Sequence, residues 1–580
     1  MKTVIDRVRD AYPDTFILDS GDFSMGSLYQ TIFSTGASEL RLMAQLGFDA
    51  TVLGNHEFDY RADGATDMLN AAVASGEPLP AITLSNVDWD RTLAHERRGP
   101  IARELRTAMD RYGVADYLII ERGGVRAAIF GLMGKQADSY APESSLYFLD
   151  QAETARAMVA RIRAEANADI IICLSHSGLR GDPGRSEDEL LANAVQGIDV
   201  IISGHSHTRL PEPIVIGDTI IVGGGSYTNH IGHLLIARDG NRYRVTGYEM
   251  IPISADLPMD EEIAEAISGY RELVETRFLS NYGFGFDDVL SYSPFSFTPE
   301  RFGGGQGEYR LGNLIADSYI HAVRMVEGSN YRNVDVAIAP SGVIRGSFDV
   351  GPISVTDAFN VSSLGIGPDK IPGYPLVSLY LTGRELKTVA EIDISVSPMM
   401  SAARLFASGL TYTYNPNRLI LNRVTSVRLM DLEGNISELE NDRLYRVVGG
   451  LYSCQMLGAV EGMSYGLLKV TPKDVNGNPI ADFEEHIIYY QGSELKEWVA
   501  LANYLASFDP VNGIPTIPEY YNQYHGRKIE EASWSPIALL KNPNMIFFLV
   551  LGVVLLVLAI IIVPTVLIVR KVRKVRRSRS

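Results

Sequence analysis

The sequence predicts a two-domain α/β protein that ends in one membrane-spanning helix, and three observations support this prediction. The chain has 580 residues, which is too many for a single hydrophobic core. Short apolar runs alternate with helical stretches over most of its length, as they do in α/β proteins. Residues 545–569 form one uncharged apolar run close to the C-terminus.

The composition is that of a folded, acidic protein. Hydrophobic residues make up 46% and charged residues 21% of the chain, and the net charge is −18. The acidic excess argues against nucleic acid as a partner, but a bound metal or a local pair of arginines can still attract a small phosphorylated ligand. The two cysteines, Cys173 and Cys454, are too far apart in sequence to indicate a disulfide framework or a cysteine zinc site.

Residues 1–252 are predicted to form the first α/β domain. Several of its apolar runs are uninterrupted, which is typical of strands that are buried on both faces. The predicted strands are FILD (16–19), ATVLG (50–54), YLIIE (117–121), AAIFGLM (127–133), DIIICLS (169–175), DVIISG (199–204) and TIIVGGG (219–225). The predicted helices cover residues 36–47, 65–75 and 150–166.

The rest of the chain is predicted to form a connector, a second domain and a stalk. Residues 256–282 are charged and well capped, and they predict a connector helix. Residues 285–515 carry a second α/β pattern, with a helix over 312–326. Prolines are frequent in residues 516–544, which predicts a stalk that leads to the membrane.

The apolar run at 545–569 is long enough to cross a membrane. At a rise of 1.5 Å per residue it spans roughly 37 Å, which exceeds the hydrocarbon thickness of about 30 Å. Pro564 would kink this helix without abolishing it. A basic tail, 570–580, follows, and the positive-inside rule places it in the cytoplasm. We therefore expect a single-pass protein of the cell membrane whose acidic body is extracellular.

The first residues do not resemble an export signal. MKTVIDRVRDAYPDTF lacks an apolar segment of the required length, and it predicts an amphipathic helix instead. We therefore expect the natural chain to begin upstream of this sequence. A tail-anchored cytosolic protein is the competing interpretation.

Four apolar runs of the first domain each end in side chains that can bind a metal. These side chains are Asp22 after FILDSG, Asn55, His56 and Asp59 after ATVLG, His176 after IIICLS, and His205 and His207 after VIISG. Loops at the carboxyl ends of strands converge on the crevice where α/β proteins bind ligands. A lone histidine after a strand is usually a surface residue, but four of the ten histidines occupy such positions, which favours one shared site.

The motifs GD, GNHE, the SH of LSHSG and GHSH, in this order, resemble those of the calcineurin-like metallophosphoesterases. The FD after GNHE, the connector helix and RLGNLIADS at 310–318 make the chain similar to the 5′-nucleotidase family. The resemblance implies a metallophosphoesterase sandwich of two sheets flanked by helices (αββα). It also implies a second α/β domain, the 5′-nucleotidase C-terminal domain, that binds the substrate.

The resemblance implies a site for two divalent metal ions. Asp22 corresponds to the carboxylate that bridges them. Asn55, His176 and His205 correspond to the other ligands of one ion, and His207 corresponds to a ligand of the second. Such a pair activates water and neutralises the charge that develops on the phosphoryl group. Nitrogen and oxygen ligands of this kind suit Zn, Mn, Co or Fe and select poorly among them.

The resemblance also implies a catalytic histidine. His56 would stabilise the transition state or protonate the leaving oxygen, and Asp59 would hold its other ring nitrogen. One part of the family pattern is missing, because no Asp-x-His strand precedes Asp22. We expect that strand, and the two metal ligands it carries, upstream of this sequence.

Arg310 and Arg345 correspond to arginines that bind phosphate and carboxyl-like oxygens in the second domain of the family. The planar guanidinium suits this task because it binds oxyanions through two donors. The loop PSGVIR and residues 363–364 depart from the family pattern, so one aromatic ring of the base-binding clamp is absent. Tyr452 could supply the other ring, or it could belong to the core.

The sequence therefore predicts a phosphoester hydrolase that releases phosphate from nucleotides or similar small phosphorylated metabolites at the cell surface. Hydrolysis of 2′,3′-cyclic nucleotides or of nucleotide sugars is an alternative within the same family. A catalytically impaired, membrane-anchored binding or adhesion module is the alternative of another class, and the missing ligand pair favours it.

Overall fold

The computed structural model describes residues 1–240, 242–297, 306–400 and 403–577. The chain folds as two compact units. The first consists of residues 1–286, 364–366 and 370–372, and the second of residues 287–363, 367–369 and 373–580.

The helices of the first unit are α1 (Lys2–Ala11), α2 (Phe33–Gly36), α3 (Ser38–Leu46), α4 (Arg61–Ser75), α5 (Trp89–Ala94), α6 (Arg98–Tyr112), α7 (Lys135–Tyr140), α8 (Gln151–Glu165), α9 (Glu187–Ala194) and α10 (Glu261–Arg277). Its strands are β1 (Ala50–Val52), β2 (Ala81–Thr83), β3 (Tyr117–Arg122), β4 (Val125–Met133), β5 (Ile170–His176), β6 (Val200–Ser203), β7 (Ile214–Ile216), β8 (Thr219–Val222), β9 (His230–Asp239) and β10 (Arg242–Pro252).

A six-stranded sheet in the order β3-β4-β5-β6-β8-β7 organises the first unit. The four central strands are parallel, and the edge strands β3 and β7 are antiparallel to their neighbours. Strand β4 illustrates how helices cover both faces of this sheet. Phe130 packs with α8 and α9 on one face, and Ile129 packs with α3, α4 and α6 on the other. The apolar runs at 127–133, 169–175, 199–204 and 219–225 thus become strands that are largely buried on both sides, as the sequence predicts.

Two smaller sheets lie on the Ile129 side of the large sheet. Strands β1 and β2 pair in parallel, and β9 and β10 form an antiparallel hairpin whose apolar side chains pack against the same core. Strands β2, β9 and β10 and helix α6 were not among the predicted elements. The prediction of a strand at 16–19 is wrong, because this segment forms only a single bridge between Leu18 and Ala50. That bridge holds the loop that leads to Asp22 next to β1.

Helix α10 lies in the segment that the sequence predicts as a connector, and it belongs to the first unit. A side-chain cap sets its start. The carboxylate of Asp260 accepts the backbone N–H of Ile263 at 3.0 Å, which satisfies one of the unpaired donors of the first turn. Tyr270 and Val274 are its buried residues. The helix is shorter than the 256–282 expected from sequence.

The helices of the second unit are α11 (Arg310–Glu327), α12 (Val355–Val361), α13 (Gly383–Ser395), α14 (Leu451–Gln455), α15 (Leu457–Met463), α16 (Glu497–Ala506), α17 (Pro536–Leu539) and α18 (Met545–Arg577). Its strands are β11 (Val289–Ser293), β12 (Val336–Pro340), β13 (Gly351–Ser354), β14 (Leu376–Thr382), β15 (Leu405–Tyr414), β16 (Val424–Met430), β17 (Ile436–Glu438), β18 (Leu444–Gly450), β19 (Tyr489–Tyr490), β20 (Ser493–Glu494), β21 (Pro510–Val511), β22 (Ile514–Pro515) and β23 (Lys528–Glu530).

A seven-stranded mixed sheet forms the core of the second unit. Its order is β14-β18-β12-β15-β16-β17, and β23 pairs with β15 in parallel. Helix α11, which the sequence predicts over 312–326, packs against β12 and β15.

The prediction of a stalk at 516–544 is wrong, because this segment folds onto the second unit. The guanidinium of Arg527 forms a buried ion pair with Asp317, with an Nη2–Oδ2 distance of 2.8 Å. The hydroxyl of Tyr521 donates to the same carboxylate at 2.9 Å. A proline-rich composition therefore marks turns on a folded surface in this chain.

Helix α18 is, among the described residues, the one helix long and apolar enough to cross a membrane. An 18-residue window of its candidate span, Met545–Arg570, has a mean hydropathy of 3.6, and no residue of that window counts as buried. Part of the predicted basic tail, residues 578–580, lies outside the described residues.

Candidate metal centre

Three of the predicted ligands come together at the strand ends. His176 is the last residue of β5, His205 lies two residues beyond β6, and Asp22 follows the bridge between Leu18 and Ala50. The possible ligand atoms of Asp22, His176 and His205 all lie within 4.8 Å of one another. Strands of both the large and the small sheet therefore deliver side chains to one small volume.

Asn55 joins this group through its side-chain oxygen. Its Oδ1 lies 3.2 Å from Nε2 of His176 and 2.9 Å from Nδ1 of His205. Nε2 of His176 also lies 3.0 Å from Oδ2 of Asp22. One carboxylate, one amide oxygen and two imidazoles thus converge, and this donor set fits a divalent ion of the Zn, Mn, Co or Fe type.

The backbone fixes the orientation of His176. Its Nδ1 donates to the carbonyl oxygen of Ser20 at 2.7 Å, so Nε2 is the nitrogen directed at Asp22 and Asn55. Metal-binding histidines are commonly held in this way, because a hydrogen bond on one ring nitrogen selects the tautomer of the other. The side chain is fully buried, which prevents water from competing for its position.

The pKa values of these side chains are shifted by burial and by the charges of their neighbours. Burial alone would lower the pKa of His176, but the carboxylate of Asp22 outweighs it and raises the pKa to about 9. Burial opposes ionisation of Asp22, yet the charges of His176 and His56 hold its pKa well below the usual range. Burial and the charge of His176 lower the pKa of His205 to about 3.

Glycine is required where two loops meet beside His176. A Cβ added to Gly54 would lie 2.3 Å from Oδ1 of Asp22 and 2.7 Å from Cε1 of His176. Gly21, with φ of +85°, would place a Cβ 2.9 Å from the backbone nitrogen of Gly54. Asp22 and His205 themselves have φ of 57° and 63°, and such strained non-glycine residues are concentrated at functional sites.

Glu57 positions the Asp22 loop, a role that the sequence alone does not indicate. Its buried carboxylate accepts the backbone N–H groups of Asp22, Ser24 and Gly54 at 3.1, 3.1 and 2.6 Å, and the hydroxyl of Ser24 at 2.8 Å. Burial, together with the charge of Asp22, raises its pKa to about 7. The acid is visible in GNHEFDY, but nothing in the letters shows that it points inward.

Asp188 is a further buried acid beside the cluster, and the sequence alone does not indicate its role. It accepts the hydroxyls of Ser175 and Ser203, both at 2.5 Å, and the backbone N–H of Gly178 at 3.2 Å. Ser175 precedes His176, and Ser203 ends β6 shortly before His205. Asp188 therefore joins the two strand ends that carry the imidazoles.

His56 and Asp59 form a pair next to these side chains. Nδ1 of His56 lies 2.7 Å from Oδ2 of Asp59, and each side chain is 14% exposed. The backbone N–H of His56 donates to Oδ1 of Asp22 at 2.9 Å. A partly exposed imidazole held by a carboxylate can transfer a proton to or from a ligand at this site.

His207 is not part of the three-residue group of ligand atoms. Its side chain is exposed, and its ring centroid lies 5.9 Å from that of Tyr227. It lies close enough to His205 for its charge to contribute to the lowered pKa of that residue, after burial and His176. Its role as a ligand of a second ion stays a prediction.

The predicted substrate-binding residues all lie in the second unit. Arg310 begins α11 and donates to Oδ1 of Asn522 at 2.6 Å and to the carbonyl of Ser296 at 2.9 Å. The backbone N–H of Arg345 donates to a neighbouring carbonyl. The ring of Tyr452 lies 5.3 Å from that of Tyr374 and borders an apolar cavity. Their contacts with a substrate remain predictions.

Comparison with known families agrees with these features. The family described as calcineurin-like phosphoesterase matches residues 1–209, and the family described as 5′-nucleotidase, C-terminal domain, matches residues 293–459. The first match contains the whole cluster of Asp22, His176 and His205.

Relatives are found in bacteria and animals. The chain is 28% identical over 463 residues to the trifunctional nucleotide phosphoesterase protein YfkN of Bacillus subtilis, covering 77% of this chain but only 30% of that protein. It is 24% identical over 536 residues to a 5′-nucleotidase of Mus musculus, covering 87% of this chain and 86% of the relative.

A solved structure shows the same fold. The crystal structure of a 5′-nucleotidase precursor from Thermus thermophilus matches with a TM-score of 0.66 at 23% identity, covering 92% of this chain and 93% of that one. This likeness concerns the fold, and the family assignment rests on the two family matches and the relatives. The chain belongs to the 5′-nucleotidase family of metal-dependent phosphoester hydrolases.

Proposed function

We propose that the protein releases phosphate from nucleotides. The observation that carries this proposal is the convergence of Asp22, His176 and His205 within 4.8 Å, beside the pair formed by His56 and Asp59. Metal ligands and a proton-transferring imidazole are the two components that such a hydrolysis needs. The relatives named 5′-nucleotidase support a nucleotide as the substrate.

Asp22, Asn55, His176 and His205 would hold one divalent ion, and Asp22 and His207 would contribute to a second. An ion bound there supplies positive charge that stabilises the phosphoryl oxygens. The hydrogen bond from His176 to Ser20 and the four hydrogen bonds to Glu57 fix the ligands in place before the ion binds. The identity of the metal is left open by this donor set.

His56 would assist departure of the leaving group. Asp59 holds Nδ1, so Nε2 is the nitrogen that would donate a proton to the ester oxygen as its bond to phosphorus breaks. The backbone N–H of His56 binds Asp22, which keeps the imidazole at a fixed position relative to the metal ligands. Positioning of this kind is a major part of phosphoryl-transfer catalysis.

The second unit would bind the substrate through Arg310, Arg345 and Tyr452. Arginines suit phosphate oxygens, and Tyr452 would stack on a base. Because the opposing ring of the clamp is absent at 363–364, we expect weak discrimination between bases. A Bacillus relative named as a trifunctional nucleotide phosphoesterase supports action on more than one nucleotide phosphoester, and we propose 2′,3′-cyclic nucleotides or nucleotide sugars as the alternative substrates.

A binding or adhesion module without catalysis is the competing proposal. A protein without catalysis would have no need of a buried cluster with a fixed tautomer and a paired histidine. The geometry around His176 and His56 therefore favours the enzyme.

We also propose that α18 anchors the protein in the cell membrane, with the basic tail in the cytoplasm and both units outside. Its length, its hydropathy and the charges after residue 569 support this arrangement.

The two smaller sheets packed against the large one support a helix–sheet–sheet–helix layering for the first unit.

Phosphate release from a substrate panel tests the proposal. The full chain in detergent would be incubated with AMP, 2′,3′-cyclic AMP or UDP-glucose, each with added Mn²⁺, Zn²⁺ or Co²⁺. We expect release from AMP with at least one metal and none in chelator. If no substrate is hydrolysed under any condition while the chain still binds nucleotide, the binding-module proposal replaces this one.

A further inference from the structure

The segment that leads to α18 is fastened to a loop of the second unit. The side chain of Asn415 donates to the carbonyl of Ser533 at 2.9 Å and accepts its backbone N–H at 3.3 Å. Further along, the side chain of Asn542 donates to the carbonyl of Thr425 at 3.0 Å. Residues 531–544 therefore run along the loop between β15 and β16.

The first turn of α18 is held at the same place. The backbone N–H of Asn544 donates to Oδ1 of Asn422 at 2.9 Å, and its side chain donates to the carbonyl of Leu421 at 2.5 Å. Ile546 packs against a small apolar cluster that includes Ile392 and Val460. The helix thus begins on the surface of the folded unit, without an intervening free tether.

Exposed apolar side chains are concentrated in these two segments. Scattered exposed apolar residues are ordinary on any protein, but here they fall on two segments that hydrogen-bond to each other next to an apolar helix. We name them the helix-entry patch, and they are Leu419, Ile420, Trp534, Ile537, Leu540 and Met545, with exposed fractions of 39, 43, 75, 85, 57 and 84%.

We propose that the helix-entry patch inserts into the interfacial layer of the bilayer and seats the second unit on the membrane. The inference rests on the proposed anchoring by α18. If Met545 begins the span, side chains in segments bonded to its first turn lie at the depth of the lipid headgroups. Tryptophan and aliphatic side chains gain free energy at that depth by leaving water, and tryptophan is enriched there.

The charges near the patch favour lipid over an oppositely charged protein partner. Lys541 pairs with Glu531 at 3.4 Å, so these two residues contribute no net charge. An apolar surface whose Lys541 and Glu531 neutralise each other offers little to steer a charged partner, whereas lipid requires only burial of apolar area. The same patch could in principle bury itself against a second copy of the chain, and the experiment below separates the two.

Trp534 provides the probe. The chain has three tryptophans, and Trp498 is fully buried while Trp534 is 75% exposed. The full chain would be reconstituted in phosphatidylcholine vesicles with and without lipid that carries a nitroxide quencher near the headgroup. The Trp534→Phe variant reports the emission of the other two tryptophans, so the difference isolates Trp534.

The matched control moves the tryptophan within the same unit. Val511 is 57% exposed and lies on the β21–β22 hairpin, which packs against β11, so Val511→Trp in the Trp534→Phe background places an exposed probe on an element outside the two segments of the patch. Flotation of the vesicles with the protein after an alkaline wash reports insertion of α18 independently of fluorescence.

We expect Trp534 to lose most of its emission to the quencher and to shift to shorter wavelength, while the tryptophan at 511 does neither. Flotation without quenching of Trp534, or quenching equal at both positions, would overturn the proposal while leaving the anchor intact. Emission of Trp534 that is blue-shifted in detergent and unquenched in vesicles would indicate a second copy as the occupant and also overturn it. Failure to float would refute the anchor itself.

Discussion

His56 binds Asp59 through its ring and Asp22 through its backbone. The distances are 2.7 Å from Nδ1 to Oδ2 of Asp59 and 2.9 Å from the backbone nitrogen to Oδ1 of Asp22. One residue therefore connects the proposed proton donor, the group that orients it and a proposed metal ligand. The three positions can be changed separately, so their contributions can be distinguished.

Replacing Asp59 should impair the chemical step more than substrate binding. Asp59→Asn removes the carboxylate that fixes the His56 tautomer, and we expect kcat to fall by about 10–100-fold. His56→Ala should lower kcat by about 10²–10⁴-fold. Steady-state kinetics at saturating metal would measure both, and KM should change little.

Asp63→Asn is the matched control, because Asp63 lies four residues further on and pairs at the surface with Lys370. Its kcat should equal that of the unmodified protein. An unchanged kcat for His56→Ala would remove this residue from the mechanism.

Gly54→Ala should weaken metal binding without unfolding the protein. The added methyl group would meet Asp22 and His176 at 2.3 and 2.7 Å, so the ligands must move apart. We expect a loss of metal affinity of about 10–100-fold, as for changes that misplace ligands. Calorimetric titration of the full chain with Mn²⁺ would measure it.

Gly269→Ala provides the comparison, because its Cβ would meet no atom within 4 Å. It lies inside α10, where alanine is the better helix former, and metal affinity should be unchanged. Equal affinities for both variants would contradict the close approach at Gly54.

The sequence was sufficient to predict that side chains at the strand ends come together, while their roles as metal ligands stay predictions. Asp22, Asn55, His176 and His205 all follow apolar runs, and the ends of neighbouring strands necessarily lie close together. Glu57 and Asp188 were missed because a buried acid is written with the same letter as an exposed one. Only the folded backbone shows which N–H groups and hydroxyls such an acid satisfies.

The stalk was mispredicted for a related reason. Proline and polar residues in 516–544 suggested an extended tether, and composition alone does not show a long-range ion pair. Arg527 and Asp317 are 210 residues apart in sequence, and their pairing holds the segment on the domain. The hairpin of β9 and β10 was missed because the apolar run of β9 is short, covering only 234–237, and the apolar residues of β10 alternate with polar ones.

Breaking the ion pair of Arg527 should strongly destabilise the second unit. Arg527→Met leaves Asp317 buried without its countercharge, and we expect a loss of about 3–5 kcal/mol in the free energy of unfolding. Thermal and urea unfolding of the full chain would measure it. Arg384→Met breaks an exposed ion pair with Asp442 and should cost less than about 1 kcal/mol. Similar losses for both would show that the Arg527 segment is not integral to the fold.

Glu497 should make stability depend on pH. Burial raises the pKa of its carboxyl to about 8, against an ordinary value of 4.5. Between these values the folded protein holds a proton that the unfolded chain has released, so stability falls as the pH rises. The slope reaches at most about 1.4 kcal/mol per pH unit.

Glu497→Gln removes this proton without changing the shape of the side chain. Urea unfolding at pH 5, 6.5 and 8 should therefore give a flatter dependence for the variant than for the unmodified protein. Parallel dependences would mean that Glu497 is ionised in the folded state.

The most direct test of the account is phosphate release from AMP by the full chain as a function of added metal, compared with the same titration of His176→Ala. We expect no release in chelator and restoration by Mn²⁺, Zn²⁺ or Co²⁺. The variant should require a higher metal concentration and reach a lower maximum. Release that persists in chelator, or identical titrations for the two proteins, would contradict a metal site built on Asp22, Asn55, His176 and His205.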